Sequence, residues 1–339
     1  MYNSSIIYAL TFFANHSTMI VIYYFGKNVL SLDILTLYTQ IVEMFLMIGI
    51  GMLCYKKGII TDGGSSQIST FVMTFVAPAV IIHSFQRSYD PAMLKQLVTS
   101  FALSVLLLVI SIGIAAAIFP KRIKDYADKR MSVIFSNNGF MALPLLQALF
   151  GDNGVFIGSI NIVVTNILIW TYGIWLLSRA SGRAVKTDWK KIVFNPGTLG
   201  FYIGLLIFLT STQLPTVLTD TITFFSNLNT PLAMVVLGVY LAQSNLSALL
   251  RDRSAYLICA GRLLLIPLIT IAVILLLPFD SEVSRVLLIS VSTPCAVASS
   301  MFAQMCGTNY RYAGSIIAFS TILSAVTMPV VLSLYQLFV

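Results

Sequence analysis

Residues 136–147 read Ser136-Asn137-Asn138-Gly139-Phe140-Met141-Ala142-Leu143-Pro144-Leu145-Leu146-Gln147, inside an apolar stretch long enough to cross a bilayer. Two adjacent amides, a glycine and a proline do not suit a helix surrounded by lipid. Proline removes a backbone donor and clashes with the preceding turn, and each polar group orphaned in hydrocarbon costs several kcal/mol. Such a break persists where protein or water satisfies the freed groups, which is the setting of a ligand site. A second break, Ser292-Thr293-Pro294-Cys295-Ala296, follows in the other half of the chain. A helix that restarts at membrane depth presents free N–H groups and a positive dipole end of about half a charge. Two such ends meeting at the midplane make a cradle for a carboxylate. Ser136, Asn137, Asn138, Ser292 and Thr293 would supplement it as donors or acceptors, with Pro144 and Pro294 interrupting the backbone beside them. A proline kink stabilised by neighbours accounts for either break alone; the mirrored pair favours a site.

Other polar residues at membrane depth are few. Of the twelve acids only Glu43 lies well inside an apolar window, where it is either a proton-coupling carboxylate or a group about two turns from the outer surface. Arg262 would either neutralise an anion or snorkel to the interface, and the second reading is preferred. Gln147 and Asn161 are candidates to line a path, although polar residues between packed helices also serve as ordinary glue. His83, one of two histidines, reads as interfacial. The chain has no His-Glu-x-x-His, Gly-x-Ser-x-Gly or Gly-x-x-x-x-Gly-Lys pattern and no acidic metal motif, so the expectation is neither an enzyme nor a holder of a cofactor or metal. Cys54, Cys259, Cys295 and Cys306 lie in or at the ends of apolar windows without ligand spacing and read as packing residues.

The elements that must position these residues follow from composition. The chain has 339 residues, 58% hydrophobic and 9% charged, and its mean hydropathy is +0.92. Soluble domains carry about 25% charged residues, so this chain belongs in a lipid bilayer. Its net charge of +8 sits in short loops rather than along one face, which excludes a nucleic-acid surface.

From residue 34 onward ten apolar windows are of spanning length, which is about 20 residues: 35–55, 66–86, 96–119, 131–150, 154–178, 192–211, 221–243, 254–277, 285–306 and 312–337. Features of the first five recur in the second five. Pro78 matches Pro231, Pro120 matches Pro278 and Gly151 matches Gly307, at offsets of 153, 158 and 156 residues. With five spans in each half, the second half must enter the membrane upside down, an inverted repeat. The division is thus 1–33, an N-terminal extension; 34–178, the first repeat; 179–191, a short cytoplasmic connection; and 192–339, the second repeat. Fifteen lysines and arginines lie in the loops after odd-numbered windows against three, Arg87, Lys95 and Arg285, in the opposite loops. That asymmetry puts the odd loops in the cytoplasm and the C-terminus outside.

The motif Asn137-x-Gly139-Phe140-x-x-Leu143-Pro144-Leu145-Leu146, followed by Gly151, resembles the fourth-span signature of the auxin efflux carrier family. Asn195-Pro196, Pro231 with Gly238 and Leu241, Arg262 with Pro267, and Pro294-x-Ala296-Val297 with Ala303-Gln304 match in the same order, so the resemblance covers about residues 35–337. It implies an all-α polytopic membrane protein of ten helices in two inverted five-helix repeats, related to bile-acid symporters and sodium/proton antiporters. Spans 1, 2, 6 and 7 would form a scaffold, and broken spans 4 and 9 would cross at the substrate site. It also implies export of organic anions. Two departures stand out: the short connection points to a microbial carrier, and Ala298 occupies a position where family members often carry asparagine.

The expectation is therefore a secondary permease of the cell membrane that exports a small organic anion by alternating access. Its partners are that anion and the bilayer, and a homodimer is compatible with this reading. A proton- or sodium-coupled symporter of the same fold is the runner-up. A ligand-binding membrane sensor ranks lower, because no cytoplasmic output domain is evident.

Overall fold

The computed structural model describes residues 32–183, 190, 193–244, 246–277 and 279–338. Residues 1–31 of the N-terminal extension, residues 184–189 and 191 of the connection, and Ile192, Asn245, Pro278 and Val339 lie outside the described residues. Among those described, every regular element is helical. In chain order the main ones are α1 (Leu32–Lys56), α2 (Asp62–Ser84), α3 (Pro91–Ile118), α4 (Tyr126–Ile134), α5 (Asn138–Ser181), α6 (Pro196–Thr210), α7 (Thr216–Gln243), α8 (Arg253–Leu276), α9 (Ser281–Ser292), α10 (Val297–Cys306) and α11 (Tyr310–Gln336), with a single helical turn at Leu246–Leu249 between α7 and α8. Seven of these, α1, α2, α3, α5, α7, α8 and α11, are long and apolar enough to cross a membrane. The sixth apolar window is a shorter helix, α6, and the fourth and ninth are each divided at the polar breaks, into α4 and the start of α5, and into α9 and α10.

Proline explains several local features. Pro78, Pro144 and Pro267 each follow a wide turn, at Val72–Val76, Asn138–Ala142 and Gly261–Leu265 respectively, where bonding shifts from i→i+4 to i→i+5. A proline cannot donate to the carbonyl four residues back and its ring collides with it, so widening the preceding turn keeps the helix going. Gly151, with φ 58° and ψ −147°, bends α5 into two arms, a conformation that a side chain would strain.

Two packing groups emerge. Helices α1, α2, α6 and α7 pack chiefly on one another, and α3, α4, α5 and α8–α11 form the second group. The first group is held by close backbone approach. A side chain on Gly51 would collide with the Val235 carbonyl, and one on Gly238 with the Ile48 carbonyl. Gly200 and Gly204, spaced as a helix-packing pair, sit against Pro78 and Phe85. Val42, Leu46, Ile50 and Leu53 leave an apolar face of α1 exposed, the surface expected of a helix whose outer solvent is lipid.

Candidate functional site

The two breaks meet. After α4 ends at Ile134 the chain runs extended through Phe135, and after α9 ends at Ser292 it is extended at Thr293. Ser136 and Cys295 form an antiparallel bridge. Asn137 N–H donates to the Pro294 carbonyl at 2.9 Å, and Ala296 N–H donates to the Phe135 carbonyl at 2.9 Å. Cys295 N–H donates to Ser320 Oγ at 3.2 Å. Each break thus supplies the partners that the other lacks, which is how irregular backbone survives at membrane depth.

The stopping ends of both helices converge on Arg262. Its guanidinium donates to the carbonyls of Val133 (3.2 Å) and Ile134 (3.0 Å) at the end of α4, and to that of Val291 at the end of α9. The side chain is 1% exposed. The preference for snorkelling is therefore corrected. The wide turn preceding Pro267 carries Arg262, whose guanidinium reaches inward to carbonyls that have no partner in their own helices. Each helix C-terminus carries about half a negative charge, so one arginine offsets both.

The side chains at the breaks divide by what they already hold. Ser136 Oγ donates to Asn138 Oδ1 at 3.1 Å, and Asn138 Nδ2 donates to Thr165 Oγ1 at 3.1 Å, so these three interlock. Ser292 and Thr293 donate their hydroxyl protons to the carbonyls of Leu288 and Ser290, leaving only oxygen lone pairs to offer. Pro144 lies in the first turn after the wide segment that opens α5, and Pro294 supplies the carbonyl of the bridge. Asn137 differs from all of these. Its Oδ1 caps the Phe140 N–H at 3.4 Å, while its buried Nδ2 has no hydrogen-bond partner among the described residues. The break thus presents one free amide donor beside the restarting ends of α5 and α10.

The remaining candidates are dispersed. Gln147 donates to Ser226 Oγ of α7 at 3.3 Å, linking the two packing groups. Asn161 is buried in the second arm of α5. Glu43 is exposed on α1, in line with Leu46 and Ile50, rather than buried with the breaks. Sequence reasoning missed Asn229, whose fully buried amide has neither its nitrogen nor its oxygen bonded among the described residues. The available signal was its place two residues before Pro231 in the middle of an apolar window.

Polar links tie the bundle together at both ends. At one end His83 Nδ1 lies 3.1 Å from Asp152 Oδ1, Arg87 donates to Asn153 Oδ1 at 2.9 Å, and Asn153 donates to Glu282 Oε1. Burial lowers the pKa of the Arg87 guanidinium, which stacks 4.8 Å from the Phe156 ring centre. At the other end a cavity of about 560 Å³ is lined by Asp125, Tyr126, Asp128, Ser181, Thr308 and Asn309. There burial pushes the Asp128 carboxyl up, against the Thr308 hydroxyl that donates to it at 2.6 Å. Among the described residues no group of three or more His, Cys, Asp and Glu could hold a metal ion.

Helices of spanning length with apolar outer faces, interrupted where buried backbone must find partners, define a multi-pass integral membrane protein. The chain belongs to the family described as membrane transport protein, the auxin efflux carrier family, which matches residues 36–332. It is also similar to an uncharacterized transporter of Methanothermobacter thermautotrophicus, at 25% identity over 294 residues that cover 85% of this chain and 95% of that one.

Proposed function

We propose that this transporter is a secondary carrier that exports a small organic anion by alternating access, with the anion's charge held at the paired breaks. In this reading the chain forms ten spans in two inverted repeats, 34–178 and 192–339, joined by a cytoplasmic connection at 179–191. Broken spans 4 and 9 cross at the site, and the C-terminus lies outside the cell. One packing group, α1, α2, α6 and α7, stays as the frame while the other moves.

The observation that carries the proposal is the charge distribution at the breaks. Arg262 neutralises the negative stopping ends. The restarting ends at Asn138 and Val297 keep about half a positive charge each. Together they suit one negative charge, and the free Nδ2 of Asn137 adds a donor for it. Both the positive ends and the lone donor disfavour a cation at this place.

The direct test is flux of radiolabelled mono- and dicarboxylates into and out of proteoliposomes, with membrane potential, sodium and pH gradients varied separately. A monocarboxylate is expected to move down an imposed potential. Flux of cations only, or of no carboxylate in the panel, would overturn the proposal.

Coupling follows from energetics. A singly charged anion leaving a cell at about −100 mV gains roughly 2.3 kcal/mol from the potential alone, so export requires no coupling ion. Glu43, exposed on α1, is not placed to carry a proton through the breaks. Glu43→Gln is therefore expected to retain potential-driven flux within about two-fold of wild type, with no dependence on sodium. Loss of flux in this variant, together with a requirement for a proton gradient, would make Glu43 the proton carrier and the runner-up symporter correct.

A further inference from the structure

Helix α7 is built from two parts, Thr216–Asn227 and Asn229–Gln243, joined at Leu228. Its inward stripe runs through Ser226, Asn229, Ala233, Val236 and Leu237, all buried, while Asn227, Leu228 and Pro231 are exposed. Ser226, one turn before Asn229 on that stripe, accepts a hydrogen bond from Gln147 of α5. Farther along, the Asn229–Gln243 part packs on Asn138–Ala142, the turn that restarts the helix after the first break. Asn229 therefore sits on the stripe that α7 turns toward α5, at the seam between the two packing groups.

Its amide is 0% exposed, and both Nδ2 and Oδ1 lack a partner among the described residues. Buried polar side chains are nearly always bonded, so an amide with both functions unmade needs a reason. One turn away on the same stripe, Ser226 does find a partner, Gln147. Asn229 stands one turn from that pair and bonds to neither.

We infer that Asn229 is the second contact of the carried molecule: it binds a neutral polar group on the organic anion whose charge sits beside Asn137. The inference rests on the reading under Proposed function and names the substrate class more closely. An amide offers a donor and an acceptor together. A hydroxyl group satisfies both at once. A second carboxylate would face Oδ1 with like polarity, and an ammonium group would leave Nδ2 unmatched. The class is thus a monocarboxylate bearing a hydroxyl or similar donor–acceptor group. It is gripped at one end by the breaks in the second packing group and at the other by α7 in the first.

The test compares paired probes that differ by one hydroxyl: lactate with propionate, 3-hydroxybutyrate with butyrate, and 4-hydroxybenzoate with benzoate. Dissociation constants are measured on the purified full-length protein for wild type, Asn229→Leu, Asn229→Ser and Asn137→Ala. In at least one pair, wild type is expected to prefer the hydroxylated member by ten-fold or more. Asn229→Leu should reduce that preference to under two-fold while leaving the plain member's affinity within two-fold, and it should not lower the melting temperature. Asn229→Ser, which keeps a shorter hydrogen-bonding group, should retain an intermediate preference and serves as the readout if the leucine variant does not fold. Asn137→Ala should weaken both members of the pair equally. Absence of a preference in every pair, or a preference that survives both Asn229 substitutions, overturns the inference and makes Asn229 a packing amide. The loss in Asn137→Ala would then still support the site at the breaks. Undiminished binding in Asn137→Ala, or no binding of any probe by wild type, overturns the reading on which the inference rests.

Discussion

Arg262→Met is expected to lower the melting temperature sharply and to abolish transport. The substitution keeps the volume of the side chain and removes its charge, leaving the carbonyls of Val133, Ile134 and Val291 without their donor at membrane depth. A hydrogen bond from a charged group contributes about 1.5–3 kcal/mol, and unpaired buried carbonyls add a desolvation penalty. Breaking such a buried network costs roughly 3–5 kcal/mol. Arg262→Lys keeps the charge but has one compact ammonium group in place of a planar fork. It should hold one helix end and recover only part of the lost stability. Thermal unfolding in detergent and flux in proteoliposomes read the two effects separately. If Arg262 instead bound the anion directly, both variants would lose substrate affinity while melting like wild type. That outcome would remove the arginine from the helix ends.

Asn137→Ala should show the opposite pattern, a large functional loss with little change in stability. Among the described residues its only side-chain bond to protein is the 3.4 Å cap on Phe140 N–H, a weak contact. Its Nδ2 is buried without a partner, so truncation removes an unsatisfied group from the fold. Against a bound carboxylate the same truncation removes a hydrogen bond to a charged group, about 1.5–3 kcal/mol, or roughly ten- to hundred-fold in affinity. Asn137→Asp should be worse, since it sets a negative charge against the anion. Asn138→Ala is the contrasting case. Asn138 joins Ser136 to Thr165, so its loss should appear first in the melting temperature. Equal effects of the Asn137 and Asn138 substitutions on stability and flux would show that both amides serve packing alone.

The breaks were legible because lipid makes polarity conspicuous. Asn137, Asn138 and Pro144 inside one apolar window, and Thr293 and Pro294 inside another, have few physical explanations there. A different signal, small residues at a four-residue spacing that let backbones approach, marks the close helix contact at Gly200 and Gly204. What the sequence could not carry is direction and partner. Arg262 lies more than 120 residues from Val133 and Ile134 and 29 from Val291, and no local pattern links them. Its inward aim also depends on a wide turn that Pro267 induces, which shifts the helical register by an amount the sequence does not display. The face of Glu43 was equally hidden. On α1 the buried Met44 and Ile48 and the exposed Leu46 and Ile50 are all apolar, because both the core and the lipid accept such side chains, so hydrophobic periodicity cannot orient the helix. Asn229 was overlooked for a related reason. An asparagine near a mid-window proline reads as a kink residue until both ends of its amide are seen unbonded.

The central claim is that the anion's charge rests between the two breaks, beside Asn137 and the restarting end of α10. The most direct measurement is an experimental structure of the protein with the transported monocarboxylate from the flux panel bound. Density for the carboxylate is expected within hydrogen-bonding distance of Asn137 Nδ2 and the backbone N–H groups that open α10 at Val297. Density for the carboxylate against the Arg262 guanidinium, or in the cavity lined by Asp125, Asp128 and Thr308, with the breaks unchanged and empty, would contradict it.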